Sequence, residues 1–341
     1  MKSTISAIVL ACFLIPPSLF ARCPISANST LVVNASVGNL IIDSSGTDSV
    51  DWDVSNKQIA VQEICLKDEV SLIGTASNGT IKPIPDWHIK VPRNVNLDLV
   101  TKAGSITIGQ LDSKINVRTG GGDVVVGNIA GETSILTQAG NIQAGDIGSN
   151  ADLNIDSSGN LVLGNVKGDV SVSTRAGDIT IASARRIVNA FTGGGTMLIH
   201  KVIGSFTGHN DAGSIRIESA GSWVDASTGS GSIFLKMVPE KQTGDLHVNL
   251  QAGSGDITLF LPNGMKADIQ ATGLQSQMKS DFPLIPQVAR GFSGLAPTTA
   301  GRPGPNISSS FTTTQTGQRN GGGNPVKLHT SLGKIEIKLF N

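Results

Sequence analysis

A short glycine-containing segment recurs along the chain, as in AGSITIG, GGGDVVVG and AGDITIA. Between Gly104 and Gly231 the anchor glycines of successive copies are 18 residues apart in six steps and 19 in one, and the last two steps are 24 and 78 residues. A unit of this size cannot bury an apolar face alone, so successive units must pack against each other. The anchors are Gly104, Gly122, Gly140, Gly159, Gly177, Gly195, Gly213, Gly231, Gly255 and Gly333.

Two columns drawn through the repeats contain apolar residues alone. They lie two and four residues after each anchor, and all twenty of their positions are apolar. The column between them includes Thr107, Gln143, Arg216 and Glu336. This alternation is typical of a strand with one buried face, and Ile115–Thr119 shows the same period upstream of a glycine. Each unit is therefore a strand, a glycine turn, a second strand and a second turn.

The repeats predict an all-β fold, a β-solenoid of 18-residue, glycine-punctuated rungs with an irregular β N-terminal cap. An antiparallel meander of hairpins would also have a two-strand period. The solenoid is favoured because coaxial stacking puts equivalent residues of successive rungs in contact with one another. Such stacking explains why both columns are apolar at every position. We expect the anchor glycines to occupy turns with positive φ, where glycine has no steric cost. The Asp, Asn or Ser after most anchors is expected to bond local backbone groups.

Composition changes divide the chain into five segments. We assign residues 1–21 to a signal peptide, 28–96 to the N-terminal β cap and 97–273 to the solenoid repeats. Residues 274–325 are rich in Gly, Ser, Thr and Pro without a period, which predicts a loop. Residues 326–341 match the repeat again and are expected to be closing strands that cover the last open rung.

The first residues have the pattern of a secretory signal peptide: one charge, an apolar stretch, two prolines and a small residue. Cleavage after Ala21 is preferred, and cleavage after Ala27 would also remove Cys23. A lipobox reading, with lipidation at Cys12, stays open as the less favoured alternative. We expect no transmembrane segment in the mature chain, because no later stretch reaches the ~20 apolar residues of a membrane helix.

An exported chain whose mature part holds two cysteines is expected to oxidise them. We therefore predict a disulfide between Cys23 and Cys65. The 26 basic and 26 acidic side chains balance, which argues against nucleic acid as a partner. Aromatic residues are 4% of the chain, so we expect few anchors for protein partners and little platform for stacking sugars.

Several segments together resemble a known group. They are DWHIKVPRNVNLDLVTKAGSITIG, the glycine repeats, the SDFPL near residue 281 and the closing HTSLGKIEIKLF. The chain resembles the bacterial putative-adhesin domain family of unknown function, related to the head domain of putative autotransporter adhesins. The resemblance covers roughly residues 30–341 and implies a β-helical exported protein. No catalytic residues carry over, and the long loop before the last strand departs from the simplest members.

The remaining chemistry-bearing residues indicate no catalytic or metal site. A polysaccharide hydrolase needs two carboxylates about 5 to 9.5 Å apart, whereas Asp123, Asp178 and Asp256 are spaced as turn residues. Calcium-binding nonapeptide repeats need GGxGxD in both halves of a turn, which most rungs lack. The five histidines have no metal-ligand spacing. A threonine column three residues before the anchors is suggestive of ice binding, but it lies on the side of the buried aliphatics.

The sequence thus predicts a noncatalytic exported protein, a putative adhesin or cell-envelope interaction protein in the periplasm, at the cell surface or secreted. No cofactor or metal is expected. The partner stays open, with an envelope or surface glycan or protein as the class considered. The alternative is a carbohydrate-active enzyme, a polysaccharide lyase or hydrolase on a β-helix, which would show a convergent pair of acids beside a groove.

Overall fold

The computed structural model describes residues 23–46, 48–76, 82–241, 243–287 and 312–341. The predicted signal peptide and Cys12 therefore lie outside the described residues. Within those ranges the chain consists of β-strands joined by turns, with one short 3-10 helix at Gln275–Gln277. The strands form two long sheets, sheet 1 with 15 strands and sheet 2 with 16.

The strands fall into three groups along the chain. Those before the regular array are β1 (Cys23–Pro24), β2 (Thr30–Ala35), β3 (Asn39–Ser45), β4 (Ser49–Val54), β5 (Ile59–Cys65), β6 (Glu69–Ala76) and β7 (Asp86–Pro92). Those of the array are β8 (Asn96–Thr101), β9 (Ile106–Ile108), β10 (Ile115–Thr119), β11 (Val124–Val126), β12 (Thr133–Thr137), β13 (Ile142–Ala144), β14 (Ala151–Ser158), β15 (Leu161–Val166), β16 (Val170–Ala176), β17 (Ile179–Ala184), β18 (Val188–Thr192), β19 (Met197–Val202), β20 (Phe206–Ala212), β21 (Ile215–Ala220), β22 (Val224–Ser230), β23 (Ile233–Met237), β24 (Val248–Ser254) and β25 (Ile257–Pro262). Those after the array are β26 (Ala267–Leu274), β27 (Met278–Ser280), β28 (Ile285–Gln287), β29 (Thr312–Arg319), β30 (Asn324–Thr330) and β31 (Ile335–Phe340).

The array is a parallel β-solenoid, as predicted, and the meander alternative is wrong. Even-numbered strands from β8 to β24 stack in sheet 2, and odd-numbered strands from β9 to β25 stack in sheet 1. Val124 pairs with Ile106 on one side and with Ile142 on the other, all in parallel register. All twenty residues of the two apolar columns are buried, with at most 4% of their surface exposed. The core is therefore a continuous stack of like side chains between the two sheets.

Irregular spacings in the sequence leave this stack unbroken. The 19-residue step is absorbed by a bulge between Ile155 and Ser158 in β14. The 24-residue step places its extra residues between β23 and β24, and Ile233 still pairs with Ile257. The 78-residue step joins neighbours in space, because Ile257 pairs directly with Ile335. Stacking, rather than chain distance, sets the register.

At the N-terminal end the rungs are out of chain order. β2 pairs in parallel with both β6 and β8, and β3 with both β7 and β9. The rung formed by β2 and β3 therefore lies between the rung formed by β6 and β7 and the regular array. β5 and β4 then lie antiparallel against β6 and β7 and end the parallel stack. The region predicted as an irregular cap contains two rungs in register with the array and two antiparallel covering strands.

The C-terminal end repeats this arrangement, which corrects the expectation for residues 326–341. β30 pairs in parallel with both β24 and β26, and β31 with both β25 and β27. The last strands of the sequence are therefore an internal rung, and β26 with β27 forms the outermost one. An inserted rung satisfies backbone groups on both of its edges, which a terminal rung cannot do.

The loop predicted for residues 274–325 is only partly irregular. Thr312–Arg319 forms β29, which pairs antiparallel with β26 over eight residues, and β28 lies against β29. The prediction was wrong here because a Thr- and Gln-rich strand next to the sheet edge has no apolar period to reveal it. Residues 288–311, which belong to the same predicted loop, lie outside the described residues.

The anchor glycines stack on one another. A Cβ added at any of the ten would collide with the carbonyl group of the glycine one rung below, such as Gly177 against Gly159. Eight of them have positive φ as expected, but Gly159 and Gly333 do not. The expectation that φ alone demands glycine is therefore incomplete, because close stacking of the turns excludes a side chain even where φ is ordinary.

Cys23 and Cys65 are joined by a disulfide, the pairing predicted from the sequence. Cys23 is buried and lies in β1, which pairs antiparallel with β4 at the edge of sheet 1, and Cys65 ends β5 at the edge of sheet 2. The bond therefore links the two sheets at their N-terminal edge.

Candidate binding surface

The acidic and amide side chains at the turns form ladders that follow the solenoid axis. Asp123 accepts a hydrogen bond from the backbone N–H of Asn141 at 2.8 Å, and Asp178 accepts one from Thr196 at 2.7 Å. At another corner Asp146 accepts bonds from the backbone N–H and the side-chain amide of Asn165, both at 2.9 Å. These carboxylates satisfy backbone donors of the next rung rather than the local backbone groups expected from the sequence, because the turns stack directly on one another.

The threonine column is buried and bonded internally, so it forms no exposed array. Thr192 donates from Oγ1 to the carbonyl oxygens of Gly177 and Gly194, both at 3.0 Å. Thr228 repeats the contact with Gly213 at 2.8 Å, and Asn210 replaces threonine on the intervening rung by donating to Gly195. The column therefore satisfies carbonyl groups of the stacked glycine turns.

Bulky side chains gather on the outward face of sheet 1 near the C-terminal end. Phenylalanines 234, 260 and 340 lie there, half-buried, among the residues of neighbouring rungs. We call this set the aromatic patch; its members are Arg216, Glu218, Phe234, Lys236, Phe260, Glu336, Lys338 and Phe340. The expectation that the chain offers little aromatic platform is wrong for this face, because three rings from separate rungs converge.

Cations and rings alternate within the aromatic patch. The guanidinium of Arg216 lies 4.1 Å from the ring centroid of Phe234, and the ammonium of Lys236 lies 4.6 Å from that of Phe340. Phe234 and Phe260 are tilted against each other with centroids 5.4 Å apart. Cation–π and aromatic contacts of this kind add about 0.5–1.5 kcal/mol each to the packing. The patch is thus an ordered surface rather than a set of loose side chains.

Carboxylates neutralise two of the three cations in the patch. Glu218 accepts a bond from Arg216 at 3.0 Å and contacts His200 at 2.8 Å, while Glu336 lies 3.2 Å from Lys338. The bond to His200, followed by the bond to Arg216, lowers the pKa of the Glu218 carboxyl below its ordinary value. Among the described residues, no carboxylate lies within ion-pair distance of Lys236. One positive charge is therefore left uncompensated.

A shallow depression of about 380 Å³ opens at this uncompensated charge. Its lining is mostly apolar and comes from the three rings, with Arg216, Glu218 and Lys236 as the charged groups. Ligand sites of this make-up combine apolar contact area with a few polar groups that fix orientation. The patch has the features of a binding surface.

The outward face of sheet 2 contains a bonded serine, histidine and aspartate. Nδ1 of His209 lies 2.7 Å from Oγ of Ser227, and its Nε2 lies 2.9 Å from Oδ1 of Asp211. The ring stacks on Phe191 with centroids 5.8 Å apart. Ser227 lies in β22, which pairs with β20 and β24 on both sides, so its backbone N–H groups belong to the ladders. The oxyanion of a substrate carbonyl attacked by this serine would therefore lack the backbone donors that acyl transfer uses.

A second histidine cluster lies near the start of β24. His247 stacks on Trp223 with ring centroids 5.0 Å apart, and its Nδ1 lies 2.8 Å from Asp245. The hydrogen bond from His247 lowers the pKa of the Asp245 carboxyl. Asp225 lies 3.7 Å from the other ring nitrogen. The two aspartates approach opposite nitrogens of one ring, so they cannot share a single metal ion with it.

A groove of about 460 Å³ follows the corner after the sheet 1 strands of the first rungs. Asp112 and Asp146 line it. They belong to rungs two apart, so they are separated by about 10 Å along the axis. Asp146 is already bonded to Asn165. The groove does not bring two free carboxylates together at the spacing of a glycosidase.

A possible metal-ligand grouping among the described residues is Cys23, Glu63 and Cys65. The disulfide consumes both thiols, and a disulfide sulfur is not the thiolate ligand that a metal requires.

The sequence signal for the aromatic patch was present but not distinctive. In the sequence, Arg216 and Glu336 stand out only as polar members of the column between the two apolar ones. The three phenylalanines belong to different rungs, and Phe340 is separated from the other two by a long stretch of sequence. Aligning the repeats by their anchors would have placed the rings on one face. The insertion of β31 beside β25, which completes the patch, had no sequence signal beyond the final repeat match.

Within the part of the chain that the structure describes, no helix is long and apolar enough to span a membrane. No protein-family model matches the sequence, and no curated protein does.

Among solved structures the chain is similar to a putative adhesin from Bacteroides fragilis, with 15% identity, a TM-score of 0.30, and coverage of 69% of this chain and 94% of that one. It is also similar to a putative cell adhesion protein from Clostridium sporogenes, with 10% identity, a TM-score of 0.22, and coverage of 92% and 94%.

Proposed function

We propose that the chain is a noncatalytic exported protein of the adhesin type that presents the outward face of a rigid solenoid to an envelope or surface glycan or protein. The observation that carries the proposal is the contrast between the two faces of sheet 1. Its inward columns are uniformly aliphatic, whereas its outward columns change along the stack and gather an aromatic patch at one end. On rigid scaffolds, recognition residues occupy positions where the fold does not constrain the choice of side chain.

Export is supported by the disulfide. A bond between Cys23 and Cys65 persists in oxidising compartments. Because Cys23 is buried in a strand of the cap, cleavage after Ala21 fits the fold better than cleavage after Ala27. We propose the periplasm, the cell surface or the surrounding medium as its location.

The absence of catalysis is also a proposal. The acids of the corner ladders are bonded to backbone donors, and the Ser227, His209 and Asp211 group lies on a fully paired sheet. Both arrangements have structural roles that require no substrate.

The test is a binding and turnover screen on the mature protein, residues 22–341. It would be presented to a glycan array and to bacterial envelope fractions, and the same glycans would be assayed for new reducing ends or unsaturated products. Binding without turnover supports the proposal. Product release that depends on Asp112 or Asp146 would instead establish the carbohydrate-active enzyme, for which the corner groove is the place to bind a chain.

A further inference from the structure

We propose that the aromatic patch binds a carboxylate-bearing sugar unit, with the ammonium of Lys236 as the partner of the carboxylate. The inference rests on the proposed function and specifies its ligand. The rings of Phe234, Phe260 and Phe340 supply the apolar contact area for the C–H faces of the sugar.

The position of Lys236 carries the argument. It pairs in register with Phe260, which in turn pairs with Lys338 on the following rung. Arg216 and Lys338 each contact a carboxylate, at 3.0 Å and 3.2 Å, whereas Lys236 contacts the Phe340 ring at 4.6 Å. An ammonium beside rings and without a carboxylate is a ready partner for an incoming anion.

Charge arithmetic limits the ligand to few negative groups. The patch has three cations and two carboxylates, so its formal excess is one positive charge with His200 neutral. The whole chain is balanced at 26 charges of each sign. A nucleic acid would require several phosphate contacts. A ligand with one carboxylate matches the single excess positive charge of the patch.

The shape of the patch favours a sugar over a membrane. The three rings are half-buried in a shallow depression of about 380 Å³, so they lie level with the sheet rather than projecting from it. Membrane anchoring requires an apolar face that can be buried in the acyl boundary. A pyranose ring with C–H groups on one face, hydroxyls at its edge and one carboxylate can place the C–H groups on the rings, a hydroxyl at Glu218 and the carboxylate at Lys236.

The experiment compares carboxylated glycans with the same glycans after carboxyl reduction. The mature protein would be tested on a uronic acid polymer and on a sialylated glycan, each beside its reduced form, so that the two sources of the carboxylate are distinguished. We expect at least about tenfold preference for one carboxylated form, falling with salt. Lys236→Gln should abolish the preference, and Lys236→Arg should retain part of it.

The matched control is Lys201→Gln, which removes an exposed lysine from sheet 1 outside the patch. It should bind as the unmodified protein does, and circular dichroism melting would show that all variants keep the fold. Phe260→Leu should weaken carboxylated and reduced forms alike, since it removes stacking but no charge.

The outcomes separate the two proposals. Glycan or envelope binding that is unaffected by Lys236→Gln, or that ignores the carboxylate, overturns this inference and leaves the proposed function standing. A protein that binds no glycan and no envelope fraction overturns both.

Discussion

Sheet 1 has two halves that share one inward face and differ on the outward face. In the first half the outward positions, apart from Gln143, are small or β-branched: Thr107, Gly109, Val125, Gly127, Gly145, Val162, Gly164, Thr180 and Ala182. In the second half they are large or charged apart from Thr258: Leu198, His200, Arg216, Glu218, Phe234, Lys236, Phe260, Glu336 and Lys338. The inward residues of both halves are buried aliphatics.

The repeat therefore constrains only the inward-facing residues of each strand. An inward side chain must fit between the residues above and below it, so it varies little from rung to rung. An outward side chain meets solvent and its rung neighbours, so it can change without loss of the fold. Specific chemistry can therefore collect at one end of a uniform scaffold.

The largest expected effect tests whether both halves share one scaffold. Ile179→Asp in the first half and Ile233→Asp in the second should each prevent stable folding, because a buried unpaired carboxylate costs several kcal/mol against a marginal total stability. Thr180→Asp, one residue from Ile179 but outward, should change the free energy of unfolding by about 0.5 kcal/mol at most. Thermal melting followed by circular dichroism measures all three. A tolerated Ile233→Asp would break the equivalence of the halves.

The next effect concerns the glycine ladder. Gly159→Ala has an ordinary φ, so its cost would come from the clash with the turn one rung below, and we expect about 3 kcal/mol. Gly244→Ala has φ of 103° but open space around the added methyl, and its strain should cost about 1 kcal/mol. Chemical denaturation of both variants separates stacking from backbone strain. Equal costs would show that stacking is not what excludes a side chain at Gly159.

A smaller effect is expected in the buried threonine column. Thr174→Val and Thr228→Val each leave a glycine carbonyl without its hydroxyl donor, at an expected cost of about 1–3 kcal/mol. Thr174 and Thr228 lie in sheet 2, on rungs that contribute to the first and the second half of sheet 1 respectively, so their costs should agree. Outward Thr180→Val is the control and should be close to neutral. Urea unfolding of the three variants decides whether the column contributes equally along the stack.

The smallest effect belongs to the second half alone. The folded-state pKa of Glu218 is depressed from 4.5, so its contribution to stability is present above the unfolded pKa and is lost as pH falls through the folded pKa. His200→Ala should raise that pKa toward its ordinary value, with little change in melting at neutral pH because the carboxyl is exposed. NMR titration of the Glu218 side chain measures the shift. An unchanged pKa would remove His200 from the network.

The sequence alone predicted the inward columns, the stacked rungs and the disulfide pair. Strand alternation has a period of two residues, and stacking repeats it at a fixed interval, so both signals are local or strictly periodic. The pairing of Cys23 with Cys65 followed from export and from the small number of cysteines.

The order of the rungs at the two ends depends on long-range strand pairing and could not be read from the repeats. The repeat match of residues 326–341 indicated a rung but not its neighbours, and the structure inserts it between β25 and β27 in sheet 1. The same holds for β2 and β3 at the other end. Strands of one repeat type can pair with any like strand, so their order is set by which edges the whole chain leaves open.

The aromatic patch also depends on long-range strand pairing. Phe260 meets Lys338 because the last rung of the sequence is inserted next to β25, and Lys236 reaches Phe340 for the same reason. A strand placed last in the stack would have set the ring of Phe340 against different neighbours. The residues that face inward are readable from the sequence, because burial on one side of a strand imposes a period of two. The outward residues that contact one another are not, because their contacts depend on which rungs are neighbours in the stack.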